Sequence, residues 1–187
     1  IVDSMRLTPV IKKGVKKAIY AHSDMDACKA ALEKAKNDPE VTGQIWLITD
    51  GVFSMEGDIA HLPELRKLCD EYGAYLCVDD SHGHGVMGKT GRGTHEHFGM
   101  IDENGKSQID VFTGTLGKGL GGGAGGFIAA SQDLIDLIIQ RGRPTLFSNA
   151  LPVTVAASAN AAIRTLMNEP QRVQKLRDIT KYCREQI

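Results

Sequence analysis

The sequence predicts an α/β fold in which a mostly parallel sheet is covered by helices on both faces. Two observations support this prediction. Short apolar runs alternate along the chain with longer amphipathic segments, and the runs are continuously apolar instead of alternating apolar with polar. Strands buried on both faces are typical of parallel sheets, in which helices form the crossover connections.

Four short apolar runs predict the strands. The first two end in aspartate, and glycine, serine or threonine stands at or just after the end of every run, which indicates where each strand stops. In chain order the runs are IWLITD (45–50), AYLCVDD (74–80), IDVFTGT (109–115) and GGFIAAS (125–131).

Five segments have the apolar spacing and end signals of helices. In the first, we expect Ser23 to be the N-cap, with Asp26 three residues later and an apolar stripe that includes Leu32. In the second, Pro63 lies in the first turn and Gly73 ends the helix. The segments are 23–37, 62–73, 132–142, 152–169 and 171–187.

The composition argues against several classes of protein. With 187 residues, of which 42% are hydrophobic, the chain is long enough for one globular domain with a core. A net charge of -1 gives no basic surface for nucleic acid, and the apolar runs are too short to cross a membrane. Four scattered cysteines without a C-x-x-C pair fit a reduced compartment, so we expect a cytoplasmic location, or the mitochondrial matrix in a eukaryote.

Chemically versatile side chains follow three of the predicted strands. Because the carboxyl ends of parallel strands share one edge of the sheet, we expect these side chains to lie close together, where α/β proteins bind ligands. They are Asp50 and Ser54 after the first strand, Asp79, Asp80, Ser81 and His82 after the second, and Thr113, Thr115 and Lys118 after the third.

The single lysine in the glycine-rich stretch TGTLGKGLGGGAGG indicates covalent chemistry. A P-loop is excluded because Gly119 follows Lys118, and a dinucleotide-binding loop is excluded because a strand, not a helix, follows the glycines. A Schiff-base lysine for a pyridine aldehyde cofactor fits better. Such a cofactor needs an acid for the ring nitrogen, an amine for the aldehyde and hydroxyls for the phosphate, for which Asp79, Lys118 and Thr115 are candidates.

Three motifs carry a family resemblance. VDDSHGHGVMGKTGRG (78–93), TGTLGKGLGG (113–122) and RPTLFSNALP (143–152) resemble the α-oxoamine synthases, which are fold-type I enzymes dependent on pyridoxal 5'-phosphate (PLP), and DGVFSMEGDIAHLPEL (50–65) matches as well. The resemblance covers essentially the whole chain, and the motifs look most like glycine C-acetyltransferase. It implies the large domain of the PLP-dependent transferase fold over 1–170, incomplete at its N-terminal side, with 171–187 starting the small-domain segment.

The resemblance also implies roles for individual residues. Lys118 would form the Schiff base with PLP and act as the catalytic base. Asp79 would pair with the pyridine nitrogen, and His82 would contact the phenolic oxygen and assist catalysis. Three hydroxyl residues would also bind the cofactor. They are Ser54 near the phenolic oxygen, Thr115 at the phosphate, and Ser148 at the phosphate of the cofactor bound to a neighbouring subunit.

The implied reaction joins glycine to the acetyl group of acetyl-CoA, giving 2-amino-3-ketobutyrate and free coenzyme A. The implied assembly is a homodimer. The alternatives are 8-amino-7-oxononanoate synthase (pimeloyl-CoA and alanine), serine palmitoyltransferase (palmitoyl-CoA and serine), 5-aminolevulinate synthase (succinyl-CoA and glycine) and a non-catalytic scaffold relative. The family's phosphate loop and carboxylate-binding arginine are not in these 187 residues. We therefore expect a piece of a longer enzyme that is inactive alone.

Two further patterns have competing interpretations. The His-x-His pairs at 82–84 and 95–97 could bind zinc, but we predict no metal site and expect His84, His95 and His97 to be loop or surface residues. The GKTGRG loop (88–93) could be a basic patch for coenzyme A, although its glycines are more typical of turns.

Overall fold

A computed structural model describes residues 15–121 and 123–187 of the chain. The four strands fall within the predicted runs: β1 Trp46–Asp50, β2 Tyr75–Asp79, β3 Val111–Thr115 and β4 Gly126–Ala130. The helices are α1 Met25–Asn37, α2 Leu62–Tyr72, α3 Thr94–His97, α4 Gln132–Arg141, α5 Arg143–Leu146, α6 Val153–Asn168 and α7 Gln171–Gln186.

The four strands form one sheet in the order β1-β2-β3-β4. The first three strands are parallel, and β4 is antiparallel to β3. Asp50 lies opposite Asp79, and Asp79 lies opposite Thr113, so the carboxyl ends of β1, β2 and β3 form a common edge. This is the edge at which the sequence places the chemically versatile residues.

One face of the sheet carries the hydrophobic core. Leu76 and Val78 of β2 are fully buried on this face, and Leu65 of α2 is almost completely buried. Burying a leucine side chain contributes about 1.5–3 kcal/mol, so this cluster is a main source of stability. Its buried members include Cys28, Leu32, Leu47, Leu62, Leu65, Cys69, Leu76, Val78, Met100 and Phe112.

The opposite face of the sheet is more open and carries the polar residues. Side chains alternate between faces along a strand, so Asp50 and Asp79 share a face with Trp46 and Tyr75 at the other ends of their strands. Trp46 and Tyr75 stack with ring centroids 4.8 Å apart, and they are 41% and 40% exposed. The candidate site therefore lies on the open face, and the core lies on the other.

The start of α1 differs from the prediction. Asp24, not Ser23, is the N-cap, and its carboxylate accepts a hydrogen bond from the Ala27 amide at 2.8 Å. Ser23 has a positive φ of 54° and donates its hydroxyl to Asp58 instead. Both residues have side chains able to cap, and the extended backbone of Asp24 is the conformation typical of an N-cap. Leu32 is buried as expected.

The second helix matches the prediction at both ends. Pro63 lies in the first turn of α2, and Gly73 closes the helix in the left-handed conformation with φ 68°. Its amide donates to the Cys69 carbonyl, a common way to end a helix.

The C-terminal third of the chain is less buried than the rest. In α6 and α7 only Ala159 and Val173 are buried, and α4 and α5 bury none of their residues. Large apolar side chains are exposed between the end of α5 and the start of α6, with Phe147 and Val153 each 83% exposed. Among the residues described here, none of the helices combines the length and apolar character needed to cross a bilayer. The proposed domain boundary at residue 170 stays a prediction.

Candidate active site

Lys118 and His82 meet at the carboxyl edge of the sheet. Lys118 lies three residues after β3, and His82 lies three residues after β2. The Lys118 Nζ and His82 Nε2 atoms are 2.8 Å apart, within hydrogen-bond distance. An ammonium group can only donate, so with Lys118 charged the His82 Nε2 accepts and the imidazole proton lies on Nδ1. The two side chains can thus share and exchange a proton.

Asp79 ends β2, three residues before His82. Its carboxylate accepts a hydrogen bond from the Ser81 amide at 2.9 Å. Burial raises the pKa of Asp79, but hydrogen bonds from Ser81 and Thr113 outweigh it and hold the pKa below its ordinary value. Asp79 is therefore a carboxylate at neutral pH, as a partner for a cationic ring nitrogen must be.

Asp50 is a second carboxylate on the same face. It lies opposite Asp79 in the register of β1 and β2. The pKa of Asp50 is raised, chiefly by burial and also by the neighbouring Asp79 charge, and the nearby His82 and Lys118 only partly offset this rise. The sequence placed Asp50 at this edge but gave it no role, and the structure shows it to be part of the electrostatic surroundings of the lysine.

Three hydroxyl residues were predicted to bind the cofactor, and they occupy different places. Thr115 is the last residue of β3. Its hydroxyl donates to the Gly125 carbonyl at 3.2 Å and accepts from the Gly117 amide at 3.3 Å. It thus braces both ends of the glycine-rich loop. Ser54 is exposed in the turn after β1. Ser148 is exposed between α5 and α6, and its hydroxyl donates to the Asn149 carbonyl at 3.3 Å. Their roles toward a cofactor stay predictions.

A buried polar cluster lies next to the candidate site, and sequence reasoning missed it. Asp80 is fully buried, and its carboxylate accepts hydrogen bonds from the Thr94 amide and the Thr94 hydroxyl, both at 2.8 Å. His84 Nδ1 lies 3.7 Å from the Asp80 carboxylate, which is too far for a hydrogen bond. Burial raises the pKa of Asp80 to about 6 and lowers the pKa of His84 to about 4, so the imidazole is neutral at physiological pH.

His84 and His95 were expected to be loop or surface residues. His84 lies in the turn after β2 and His95 in α3, but neither side chain is at the surface. They are only 6% and 8% exposed. Both rings pack on Phe112, and His84 also stacks on Phe127 with centroids 4.8 Å apart. The aromatic partners come from strands distant in sequence, so the His-x-His spacing carries no signal of this burial. His97 is exposed as expected.

The GKTGRG loop is folded around an internal carboxylate. Glu96 accepts hydrogen bonds from the Thr90 amide, the Thr90 hydroxyl and the Arg92 amide, at 2.8–3.1 Å. The pKa of Glu96 is lowered because these bonds outweigh the effect of burial. The Thr90 and Arg92 amides are thus already occupied by an internal carboxylate. The glycines serve turns, with Gly88, Gly91 and Gly93 all at positive φ.

Comparison with protein families gives one match that covers nearly the whole chain. The family model for aminotransferase class I and II matches residues 9–187. The 8-amino-7-oxononanoate synthase 1 of Bacillus velezensis is 43% identical over 187 residues, which are all of this chain and 44% of that protein. A serine palmitoyltransferase of Sphingobacterium spiritivorum is 38% identical over the same length, 43% of that protein. The chain thus spans less than half the length of these relatives.

Solved structures give the same result. A serine palmitoyltransferase with PLP superposes with a TM-score of 0.74 at 30% identity, over 85% of this chain and 37% of that chain. An 8-amino-7-oxononanoate synthase from Francisella tularensis superposes with a TM-score of 0.70 at 25% identity, over 94% of this chain and 46% of that chain. The expected PLP-dependent transferase fold is confirmed.

Proposed function

Because this chain belongs to the aminotransferase class I and II family, among its α-oxoamine synthases, we propose that it is the cofactor-binding part of a PLP-dependent acyltransferase. The enzyme would join an amino acid to the acyl group of an acyl-CoA. The observation that carries the proposal is the 2.8 Å contact between Lys118 Nζ and His82 Nε2, at the edge of the sheet where β2 ends in Asp79.

The side chains present fit PLP. The cofactor's aldehyde needs an amine, its pyridine nitrogen needs an anion and its phosphate needs donors. Lys118 provides the amine, and Asp79 provides an anion whose low pKa keeps it charged. Thr115 has a hydroxyl at the base of the glycine-rich loop and would help to hold the phosphate. Ser54 and, from a second subunit, Ser148 are the proposed further contacts.

The residues of this chain then divide the work of proton transfer. Bound PLP supplies an electron sink for the charge that develops at the amino acid α-carbon. Lys118 Nζ would take the α-proton as the general base. His82 Nε2, within hydrogen-bond distance, would orient that amine, accept the proton from the resulting Lys118 ammonium and pass it to the oxygen of the thioester carbonyl. Asp79 would stabilise the protonated ring nitrogen throughout.

The substrate pair is the finer part of the proposal. Glycine and acetyl-CoA are predicted from the sequence motifs, but the curated relatives do not support that choice. Those reported above are an 8-amino-7-oxononanoate synthase at 43% identity and a serine palmitoyltransferase at 38% identity. We therefore favour alanine with pimeloyl-CoA over glycine with acetyl-CoA.

A homodimer is the proposed assembly. Leu146, Phe147 and Val153 are 62%, 83% and 83% exposed, close to Ser148 in the chain. Large apolar side chains exposed together are typical of a surface that is covered in the assembled protein. A second copy that covers this segment would also bring Ser148 toward a neighbouring cofactor.

Borohydride reduction of the full-length protein incubated with PLP tests the cofactor proposal. We expect one adduct, on Lys118, after digestion and mass analysis. Lys118→Ala should abolish it, whereas Lys89→Ala, which removes an exposed lysine near the site in sequence, serves as the matched control. Adducts scattered over surface lysines, or none at all, would contradict the proposal.

A crossed assay tests the substrate pair. Glycine, alanine and serine are each combined with acetyl-, succinyl-, pimeloyl- and palmitoyl-CoA, and release of free coenzyme A is measured. We expect the highest kcat/KM with alanine and pimeloyl-CoA. A preference for glycine with acetyl-CoA would reverse our choice within the family, and a folded protein that traps PLP without any turnover would favour the scaffold alternative.

A further inference from the structure

We propose that Asp80 is a positioning residue for the candidate active site, because its buried carboxylate holds the 80–85 turn in the pose that presents His82 to Lys118. The inference rests on the proposed function, since it gives Asp80 a part in proton transfer at Lys118. It concerns a residue that touches neither Lys118 nor His82 with its carboxylate.

The backbone of Asp80 is the anchor of the turn. Its carbonyl accepts hydrogen bonds from the Gly83 amide at 2.9 Å and the His84 amide at 3.1 Å, which closes the turn around His82. Its amide donates to the Thr113 carbonyl at 2.8 Å. Thr113 belongs to β3, the strand that leads to Lys118. Residue 80 thus connects the turn of His82 to the strand that carries the lysine.

The carboxylate of Asp80 fixes this anchor from inside the protein. It accepts both the amide and the hydroxyl of Thr94, at the start of α3. A Cβ atom at Gly51, Gly83 or Gly93 would overlap the carboxylate, so three separate loops press against it. One buried group therefore sets the relative positions of the loop after β1, the 80–85 turn and α3.

The 80–85 turn also contacts the lysine loop directly. A Cβ at Gly119 would lie 2.6 Å from the His84 carbonyl oxygen, and a Cβ at Gly85 would lie 3.2 Å from the Gly119 carbonyl carbon. Only glycine allows the two backbones to approach this closely. Movement of the turn would therefore displace both partners of the contact, His82 directly and Lys118 through Gly119.

Burial of Asp80 is costly, which argues for a role beyond stability. A carboxylate removed from water loses much of its solvation, and among the described residues Thr94 alone donates hydrogen bonds that compensate it. The cost is visible in the pKa of Asp80, which burial raises to about 6. Strongly shifted groups of this kind concentrate at functional sites.

Two substitutions of Thr94 separate positioning from stability. Thr94→Val removes the hydroxyl that donates to Asp80 and keeps the shape of the side chain, whereas Thr94→Ser keeps the hydroxyl. Full-length, PLP-loaded protein is incubated with glycine or L-alanine in deuterated water, and exchange of the α-hydrogen is followed by NMR. This exchange reports proton transfer at Lys118 without any acyl-CoA.

The rates are divided by the amount of Lys118 adduct trapped with borohydride, so that loss of folded protein does not lower them. We expect Thr94→Val to reduce the maximal exchange rate per trapped site by about ten- to a hundredfold, since misplacement by 1 Å costs up to about that much. The KM for the amino acid should change little, and Thr94→Ser should behave like the wild type. Should Thr94→Val not fold, Asp80→Asn, which removes the buried charge, is compared with the wild type in the same assay, and an equal rate per trapped site would overturn the inference.

Equal rates per trapped site in the valine and serine variants would overturn the inference, even if the valine variant melts at a lower temperature. Failure of the proposed function gives a different result. In that case the wild type itself shows no Lys118 adduct and no exchange, and the positioning role falls with it.

Discussion

Replacing His84 with glutamine should change how the stability of the protein depends on pH. The folded His84 has a pKa of about 4, lowered from 6.5 by burial and by the nearby His95. Below pH 6.5 the unfolded chain binds a proton at this position and the folded chain does not, so acidification favours unfolding. With 1.36 kcal/mol per pKa unit, the loss between pH 7.5 and pH 5 is about 2 kcal/mol. Glutamine does not titrate, so His84→Gln should lack this loss.

Substitution of Asp80 should change the pH dependence of stability in the opposite direction. Burial raises its folded pKa from 3.8 to about 6, so the folded chain binds the proton more tightly and acidification favours folding. Between pH 7.5 and pH 5 this gain is roughly 1 kcal/mol. Asp80→Asn removes it and should therefore become less stable relative to the wild type as the pH falls, in the opposite direction to His84→Gln.

Urea unfolding of the full-length protein at pH 7.5 and pH 5 measures both effects as changes in the difference from the wild type. Constant offsets from altered packing cancel in this comparison. His97→Gln removes an exposed histidine from the same part of the chain and serves as the matched control. If the His84→Gln and wild-type stabilities run parallel between the two pH values, the burial argument for His84 is wrong.

Three further substitutions test the fold. Gly114→Ala should destabilise by about 1–3 kcal/mol, because a Cβ there would overlap the buried His84 ring, and an unchanged melting temperature would contradict that close contact. Leu76→Ala should cost about 2–5 kcal/mol in urea unfolding, since Leu76 is fully buried, and a cost below 1 kcal/mol would be unexpected for a core position. Asp24→Ala should lower the free energy of unfolding by about 1 kcal/mol because it removes the N-cap, while Asp26→Ala should lower it less. The reverse order would contradict the assignment of Asp24 as the N-cap.

Much of the fold follows from local signals in the sequence. The strands Trp46–Asp50 and Tyr75–Asp79 are apolar runs with clear ends, and α2 is bounded by Pro63 and Gly73. The direction of β4 was not assigned beforehand. A link of only ten residues between β3 and β4 leaves little room for a helical crossover, which is the signal that could have predicted the antiparallel pairing.

The site was predictable where topology decides and unpredictable where packing decides. Lys118 and His82 follow neighbouring parallel strands, so their meeting at one edge could be expected from the order of the elements. The burial of Asp80 and His84 could not, because it depends on glycines at 51, 93 and 114 and on Phe112 and Phe127, which come from distant parts of the chain. A motif lists neighbours in sequence and contains no information on the neighbours in space.

Alternate residues of a strand lie on opposite faces of the sheet, so neighbouring positions should tolerate different substitutions. Leu76 and Val78 of β2 point to the core, while Cys77 and Asp79 point to the open face with the candidate site. A substitution at a core-facing position should therefore change the free energy of folding, and a substitution at the next position should change the candidate site. A shift of this strand by a single residue would turn the Asp79 carboxylate toward the core and Val78 toward the open face, so the register that stabilises the sheet also keeps Asp79 on the face of the candidate site.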